Sequence, residues 1–277
     1  MFAYVTFVML GDNYVQGAVA LAKSLKLTRT KHDLICMITD DVSENAVTTL
    51  SKYFTKVIEV EYIHYKCPKM LTMRQNNLYG DWIDFAFTKW NCLKLTKYRK
   101  IVYLDADHLV VKNIDHLFYL NAPALCFTDE TYGYYDKIAF GETITANAIK
   151  KFMLHNKVLC KGGTVLFEPD TLLFETIRSL INSYNKCLSR NQYHNGFDEQ
   201  ILLQAFVKKN ISVTQLSVLY AWNAGTYHRL SKNHEPFVIN YYGDIKPWNL
   251  SDNISYKYMD IFIWKYINDC NVSNGVK

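Results

Sequence analysis

The feature that most constrains this chain is a repeated change of hydrophobic period in its first 63 residues. Ala3 to Met9 is a run of β-branched, aromatic and other apolar residues that reads as a buried strand, closed by Gly11-Asp12-Asn13. From Tyr14 the period lengthens, and Ala18, Leu21, Ala22 and Leu25 fall on one helical face. Leu34 to Ile38 reads as a second strand, ended by Asp40-Asp41. Ser43 to Tyr53 reads as a helix with Val47 and Leu50 inward, and Val57 to Ile63 as a third strand. Strands that alternate with helices join side by side through crossovers. The predicted class is therefore α/β, a mostly parallel central sheet with helices on both faces.

The same reading continues to the C-terminus. Lys66 to Gly80 is polar and Met-rich and reads as a loop over the sheet edge. Phe85 to Tyr98 reads as a helix and Ile101 to Leu104 as a short central strand. Ala124 to Thr128 and Val165 to Phe167 read as strands, Leu172 to Tyr184 and Glu199 to Lys208 as helices. Val238 to Tyr241 is a late strand and Ile254 to Ile267 a terminal amphipathic helix. With no repeat, low-complexity segment or linker, residues 1–277 read as one domain.

Composition narrows the function. A net charge of +5 over 277 residues, with no long Lys/Arg run, argues against a nucleic-acid binder and suits a small anionic ligand. No apolar run approaches the ~20 residues of a membrane span, and MFAYVTFVMLG lacks the basic start and cleavage site of a signal peptide. Seven cysteines, widely spaced and odd in number, read as reduced thiols in a cytoplasmic protein. The N-x-S sequons at Asn210, Asn249, Asn253 and Asn271 then read as chance.

The chemistry concentrates at Ile101-Val102-Tyr103-Leu104-Asp105-Ala106-Asp107. Four apolar residues make a buried strand, and two carboxylates follow its C-terminal end, the edge where open α/β sheets bind ligands. Carboxylates at i and i+2 can share one small volume if a divalent cation relieves their repulsion, and hard oxygen ligands suit Mg²⁺ or Mn²⁺. Such a cation can bridge a diphosphate leaving group.

Four blocks, in order, carry a family resemblance: AYVTF-VMLGDNYVQGAVALAKSL from Ala3, Phe87-Thr88-Lys89, YLDADHLVVKNIDHLF, and Gly243-Asp244-Ile245-Lys246-Pro247-Trp248. Together they resemble glycosyltransferase family 8, the glycogenin and galactinol synthase family, from residue 3 to about 250. The Tyr- and Asn-rich composition is similar to that of viral, baculovirus-type members, for which the location would be the host cytoplasm. The resemblance implies a GT-A fold, with a Rossmann-like nucleotide-binding part over about 1–120 and an acceptor-binding part over about 121–277. It implies a retaining transfer of a hexose from a UDP-sugar to a sugar, polyol or protein tyrosine, and a homodimer.

Residue by residue, the resemblance places uracil and ribose against the backbone of Phe7 and Met9 and the ring of Tyr14. Lys89 meets the donor sugar or its phosphates. Asp105 and Asp107, with Ala106 between them, hold the metal, and Gly243 and Lys246 approach the phosphates. Asp198, Glu199 and Gln200 lie at the reacting sugar, and a double displacement would use Asp198 or Glu199 as nucleophile. Two positions depart from the family pattern. A third metal ligand, usually His, is here Asn240. A sugar-binding Asn is here Lys161, in Cys160-Lys161-Gly162-Gly163.

Those departures keep open an inactive nucleotide-sugar-binding scaffold. A haloacid dehalogenase-type phosphatase would use Asp105 as nucleophile and Asp107 as acid. Three strand–helix units precede the motif here, however, where that family starts with it.

Overall fold

The computed structural model describes residues 1–70, 72–129, 138–155, 158–182, 196–225, 235–243, 246–250 and 259–272. In chain order the strands and helices begin β1 (Phe2–Val8), α1 (Val15–Leu27), β2 (Asp33–Ile38), α2 (Glu44–Ser51), β3 (Lys56–Glu59) and α3 (Met73–Tyr79). A 3-10 helix (Ile83–Lys94), β4 (Lys100–Leu104), β5 (His108–Val110), a second 3-10 helix (Asp115–Tyr119), β6 (Ala124–Asp129), β7 (Thr143–Ile144), α4 (Ala146–His155) and β8 (Val158–Phe167) follow. The last elements used below are α5 (Thr171–Asn182), α6 (Phe197–Lys208), β9 (Val213–Gln215), β10 (Trp222–Asn223), β11 (Val238–Asn240), a 3-10 turn (Pro247–Asn249) and α7 (Met259–Asp269).

The main sheet has the order β3-β2-β1-β4-β8-β6-β9-β7. Its first half, β3-β2-β1-β4, is wholly parallel, as the strand–helix alternation requires. Strand β8 runs antiparallel to both β4 and β6. A small second sheet, β10-β11-β5, carries the chain onward from the Asp pair.

Side-chain alternation divides the core between the two faces of the main sheet. Ala3, Val5 and Phe7 of β1 and Ile101 and Tyr103 of β4 join a cluster with the first 3-10 helix, α4, α5 and α6. Tyr4 and Val8 of β1 and Val102 and Leu104 of β4 face the other way, onto α1 and α2. Helices thus cover both faces. A third cluster joins Leu109 and Ile239 of the small sheet to Trp264 and Ile267 of α7.

Several boundaries differ from the sequence reading, each for a local reason. Residues 66–80 contain α3, whose start is a reciprocal capping box: Thr72 Oγ1 accepts from Gln75 N and Gln75 Oε1 from Thr72 N, both at 3.1 Å. None of its residues is buried, so no hydrophobic stripe announced it. The stretch read as a helix over 85–98 is 3-10 over 83–94, buried almost all round. Strand β3 stops at Glu59 instead of reaching Ile63, because its pairing with β2 ends there. Strand β8 starts seven residues before Val165; Lys161-Gly162-Gly163 hides it by breaking the apolar run. The helix read from Ile254 is described from Met259, and residues 254–258, like 183–184 of the helix read over 172–184, lie outside the described residues. Strands β5, β7, β9 and β10 have two or three residues each, too few to show a period.

Candidate active site

The chain leaves the main sheet at Leu104 and enters the small sheet at His108. The three residues that make this passage are Asp105, Ala106 and Asp107. Asp105 N donates to Gly163 O at 2.9 Å, which extends the β4–β8 ladder by one rung, and His108 N donates to Asp105 O at 3.0 Å, closing the turn. The Asp pair is therefore held by backbone pairing to both sheets, since Tyr241 N also donates to Asp107 O at 2.9 Å.

Two lysines flank the pair. Lys246 Nζ lies 2.6 Å from Asp107 Oδ2 and also donates to Tyr241 O at 3.0 Å. Burial pulls the Lys246 ammonium down, but Asp107 beside it outweighs this and holds it above its usual value. Burial alone would raise the Asp107 carboxyl; Lys246 and the His108 ring reverse that and hold it well below the usual carboxylate range. On the other side Lys89, buried in the 3-10 helix, pairs with Asp198 and lies 4.0 Å from Asp105 Oδ1. Burial works against its charge, yet Asp105, Asp198 and Glu199 together raise it. It is not a solvated helix lysine. Tyr103 OH donates to Asp105 Oδ1 at 2.8 Å.

The third acidic group comes from the start of α6. Asp198 and Gln200 are buried and Glu199 half-buried. Gly162 N donates to Glu199 Oε1 at 3.3 Å. Burial, then the neighbouring Asp198 carboxylate, push the Glu199 carboxyl up to about 8, against the pull of Lys89. This environment favours the protonated form of the Glu199 carboxyl.

Glycines keep the space among these groups. The β6–β8 register jumps from Leu125↔Val165 to Cys126↔Lys161, so Gly162 and Gly163 fall in a bulge. A Cβ at Gly162 would lie 2.7 Å from Glu199 Cγ, and one at Gly163 2.6 Å from His108 Cε1. Gly17 of α1 packs as tightly against the Asp turn, where a Cβ would come within 2.5 Å of the Ala106 carbonyl oxygen.

The remaining expected residues gather at the same edge. The parallel register Val5↔Tyr103 puts Phe7 level with Asp105, although the Phe7 side chain is buried in the core and Met9 is half-buried beside it. Tyr14 caps α1 edge-on to Trp248 at 5.3 Å, with Lys246 Nζ 5.8 Å from its ring centre. Gly243 has φ +122° and nothing near its Cβ position, so the turn's backbone, not close packing, calls for glycine. Asp244 and Ile245, between it and Lys246, lie outside the described residues. Lys161 does not simply point at solvent: it is half-buried with Nζ 3.4 Å from Asn223 Oδ1, which also accepts from Asn240 Nδ2 at 3.3 Å. Sequence reasoning missed His108. The signal was there, a histidine directly after the second Asp.

The family model for glycosyl transferase family 8 matches residues 5–251. The chain belongs to that family. It is 33% identical over 255 residues to the uncharacterized protein R707 of Acanthamoeba polyphaga mimivirus, covering 90% of this chain and 83% of that one. It is 29% identical over 266 residues to Homo sapiens glycogenin-2, covering 89% of this chain but only 44% of glycogenin-2. The fold matches the crystal structure of the galactosyltransferase LgtC in complex with donor and acceptor sugar analogs, with a TM-score of 0.60 at 15% identity over 99% of this chain and 97% of that one. Membership of glycosyl transferase family 8 removes the phosphatase reading. Among its described residues no helix is long and apolar enough to cross a membrane. Asp105, Asp107 and His108 each offer a ligand atom within 4.8 Å of the others, a set that fits a divalent cation.

Proposed function

We propose that this chain transfers a hexose from a UDP-sugar to a sugar, polyol or protein-tyrosine hydroxyl, with retention of configuration and dependence on Mn²⁺ or Mg²⁺. The observation that carries the reading is the Asp105–Asp107 turn at the strand edge, clasped between Lys89 and Lys246. Two carboxylates flanked by a buried and a half-buried lysine suit a metal–diphosphate better than any neutral ligand. Residues 1–120 would hold the nucleotide, with the backbone of Phe7 and Met9 and the ring of Tyr14 at the base and ribose, and residues 121–277 the acceptor.

Asp105 and Asp107 would hold the metal, together with a third group from the strands beside them, for which Asn240 is the sequence candidate. When bound, the metal neutralises charge on the departing diphosphate. Lys246 pairs with Asp107, beside the metal site, where it would stabilise the UDP that leaves. Gly243 lets the backbone approach the same phosphates. Glu199, whose surroundings favour its protonated form, would donate to a sugar hydroxyl and make a poor nucleophile. Asp198 is tied to Lys89 beneath the same site and is the stronger candidate if the transfer runs through a covalent sugar. Otherwise the acceptor attacks on the face that UDP leaves, and a departing phosphate oxygen takes the acceptor proton. Gln200 lies buried next to this pair, where the reacting carbon belongs.

One observation favours a second reading. Both Asp side chains already have lysine partners, so an inactive, metal-independent nucleotide-sugar binder is chemically coherent. UDP release from a panel of UDP-sugars, with and without Mn²⁺, separates the two. Metal-dependent release that falls at least ~100-fold in Asp107→Ala supports the transferase and names the donor. UDP binding without release from any sugar supports the binder, and absence of both overturns the nucleotide-sugar reading.

A further inference from the structure

Lys161 is the departure from the family pattern that the proposed mechanism leaves unused. It stands in β8 just before Gly162 and Gly163, so residues 161–163 present a single side chain. The segment crosses the site: Gly162 N donates to Glu199 Oε1 at 3.3 Å, and Asp105 N donates to Gly163 O at 2.9 Å. The Lys161 side chain is half-buried, with Nζ 3.4 Å from Asn223 Oδ1.

Register in the small sheet says where that ammonium stands. Asn223 of β10 pairs with Asn240 of β11, and Asn240 pairs with His108 of β5. Residues paired across strands project to the same face of a sheet, so these three form one row. Along it Asn240 Nδ2 donates to Asn223 Oδ1 at 3.3 Å. At the far end His108 Nδ1 lies 3.1 Å from Asp107 Oδ1. Neighbouring strands are ~4.8 Å apart, so two steps set the Lys161 end of the row about 10 Å from the end that meets the Asp pair. A phosphate and one hexose ring fill such a gap.

The groups at this end are rich in donors. An ammonium carries three N–H donors and no acceptor, and an amide two N–H donors and one oxygen. Asn223 Oδ1 receives both bonds named above, from Lys161 and from Asn240. A sugar hydroxyl both donates and accepts, whereas an ionised carboxylate accepts at two oxygens and donates nothing. A hydrogen bond between charged partners is also about twice as strong as a neutral one. The other two lysines of the site are placed on its acids, Lys89 on Asp198 and Lys246 on Asp107. Lys161 belongs to neither pair and stands towards the sugar.

We propose that Lys161, with Asn223 beside it, selects a donor whose sugar carries a carboxylate, so that the substrate class is a UDP-hexuronate. This rests on the nucleotide-sugar reading above and names the sugar within it. The ammonium meets the carboxylate at C6, one ring away from the diphosphate held at the Asp pair.

The test is calorimetry of the full chain with Mn²⁺ and a set of probes: UDP, then UDP-glucose against UDP-glucuronate and UDP-galactose against UDP-galacturonate. Within each pair the sugars differ only in the oxidation of C6. Wild type should bind the hexuronate of at least one pair about 10–100-fold more tightly, the worth of a hydrogen bond to a charged group. Lys161→Met should abolish that preference by weakening the hexuronate, and Lys161→Arg, which keeps the charge, should retain most of it. Wild type that binds the neutral sugar of both pairs as tightly as the acid overturns the proposal, and this arm stands even if Lys161→Met does not fold. A preference that survives Lys161→Met overturns it too, as does an equal loss for UDP and every sugar, which would assign the lysine to the diphosphate. UDP release that favours uronic-acid acceptors with no preference among donors would place the carboxylate on the acceptor, against the proposal. UDP binding without sugar preference leaves the parent reading intact and removes only the role of Lys161. If wild type binds none of the probes, the parent reading falls.

Discussion

At the residue scale, the site is a set of charges whose protonation the surroundings decide. Glu199 is the clearest case, raised from 4.5 to about 8 by burial and by Asp198. An acid whose folded value lies above its unfolded one stabilises the fold most below the unfolded value, and that contribution is lost as pH rises through the folded value. The thermal midpoint should therefore fall between about pH 4.5 and 8. In Glu199→Gln, which cannot ionise, that decline should flatten; a wild-type slope that survives the substitution would mean another group titrates there. Lys246 makes a kinetic prediction. It pairs with Asp107, and if it also serves the leaving diphosphate, Lys246→Ala should lower turnover ~10²–10³-fold with a smaller change in the KM for the donor. A change in KM alone would assign it to ground-state binding.

At the element scale, close packing decides where the Asp turn sits. Gly17 lets α1 lie against the Ala106 carbonyl and the Trp248 ring, where a Cβ would be 2.5 and 2.8 Å away. Alanine in a helix would normally gain ~1 kcal/mol over glycine. Here overpacking of ~1–3 kcal/mol acts against it, and the atom that must give way is backbone between the two carboxylates. Gly17→Ala should lower the thermal midpoint and weaken UDP binding together, checked by a melt and by calorimetry on the same sample. A stabilised variant with normal binding would show that the turn is free to shift. The capping box of α3 is a contrasting case: Thr72→Ala should cost ~1 kcal/mol of local helix stability and leave UDP release unchanged.

At the scale of the whole molecule, a ligand at the proposed site would be linked to the fold because the Asp turn joins both sheets. The Asp turn belongs to neither sheet alone, and α6, β8 and β11 each bring one wall. A ligand at 100 times its Kd stabilises the native state by ~2.7 kcal/mol, which for a chain of this size is about 5–10 °C in the thermal midpoint. UDP with Mn²⁺ should give that shift, and UDP alone clearly less. Equal shifts with and without metal would favour the metal-independent binder.

Much of this was legible from the residues. The parallel half of the sheet follows from hydrophobic period, because each strand there is long enough to show one and each crossover helix has an apolar face. The Asp pair at the end of β4 was visible because a buried strand stopping at two carboxylates has few structural explanations. Lys89, Lys246, Asp198 and Glu199 were found through resemblance, and the structure brings all four to the Asp pair. The antiparallel strand β8 was half hidden, since its glycines answer to Glu199, His108 and Asp105 on other elements. The two- and three-residue strands carry no period at all.

The chain's residue pattern by itself thus determined the α/β class, the edge of the sheet where the candidate site lies and the two carboxylates on it, because period and strand-end position are local properties. Which groups surround those carboxylates was decided only by tertiary structure. The facing of His108 with Asn240, the raised Glu199 carboxyl, and the lysine partners of both Asp residues arise from chain segments 16 to 139 residues apart or from strand register. No local pattern encodes a distance between them; only the packed sheets do.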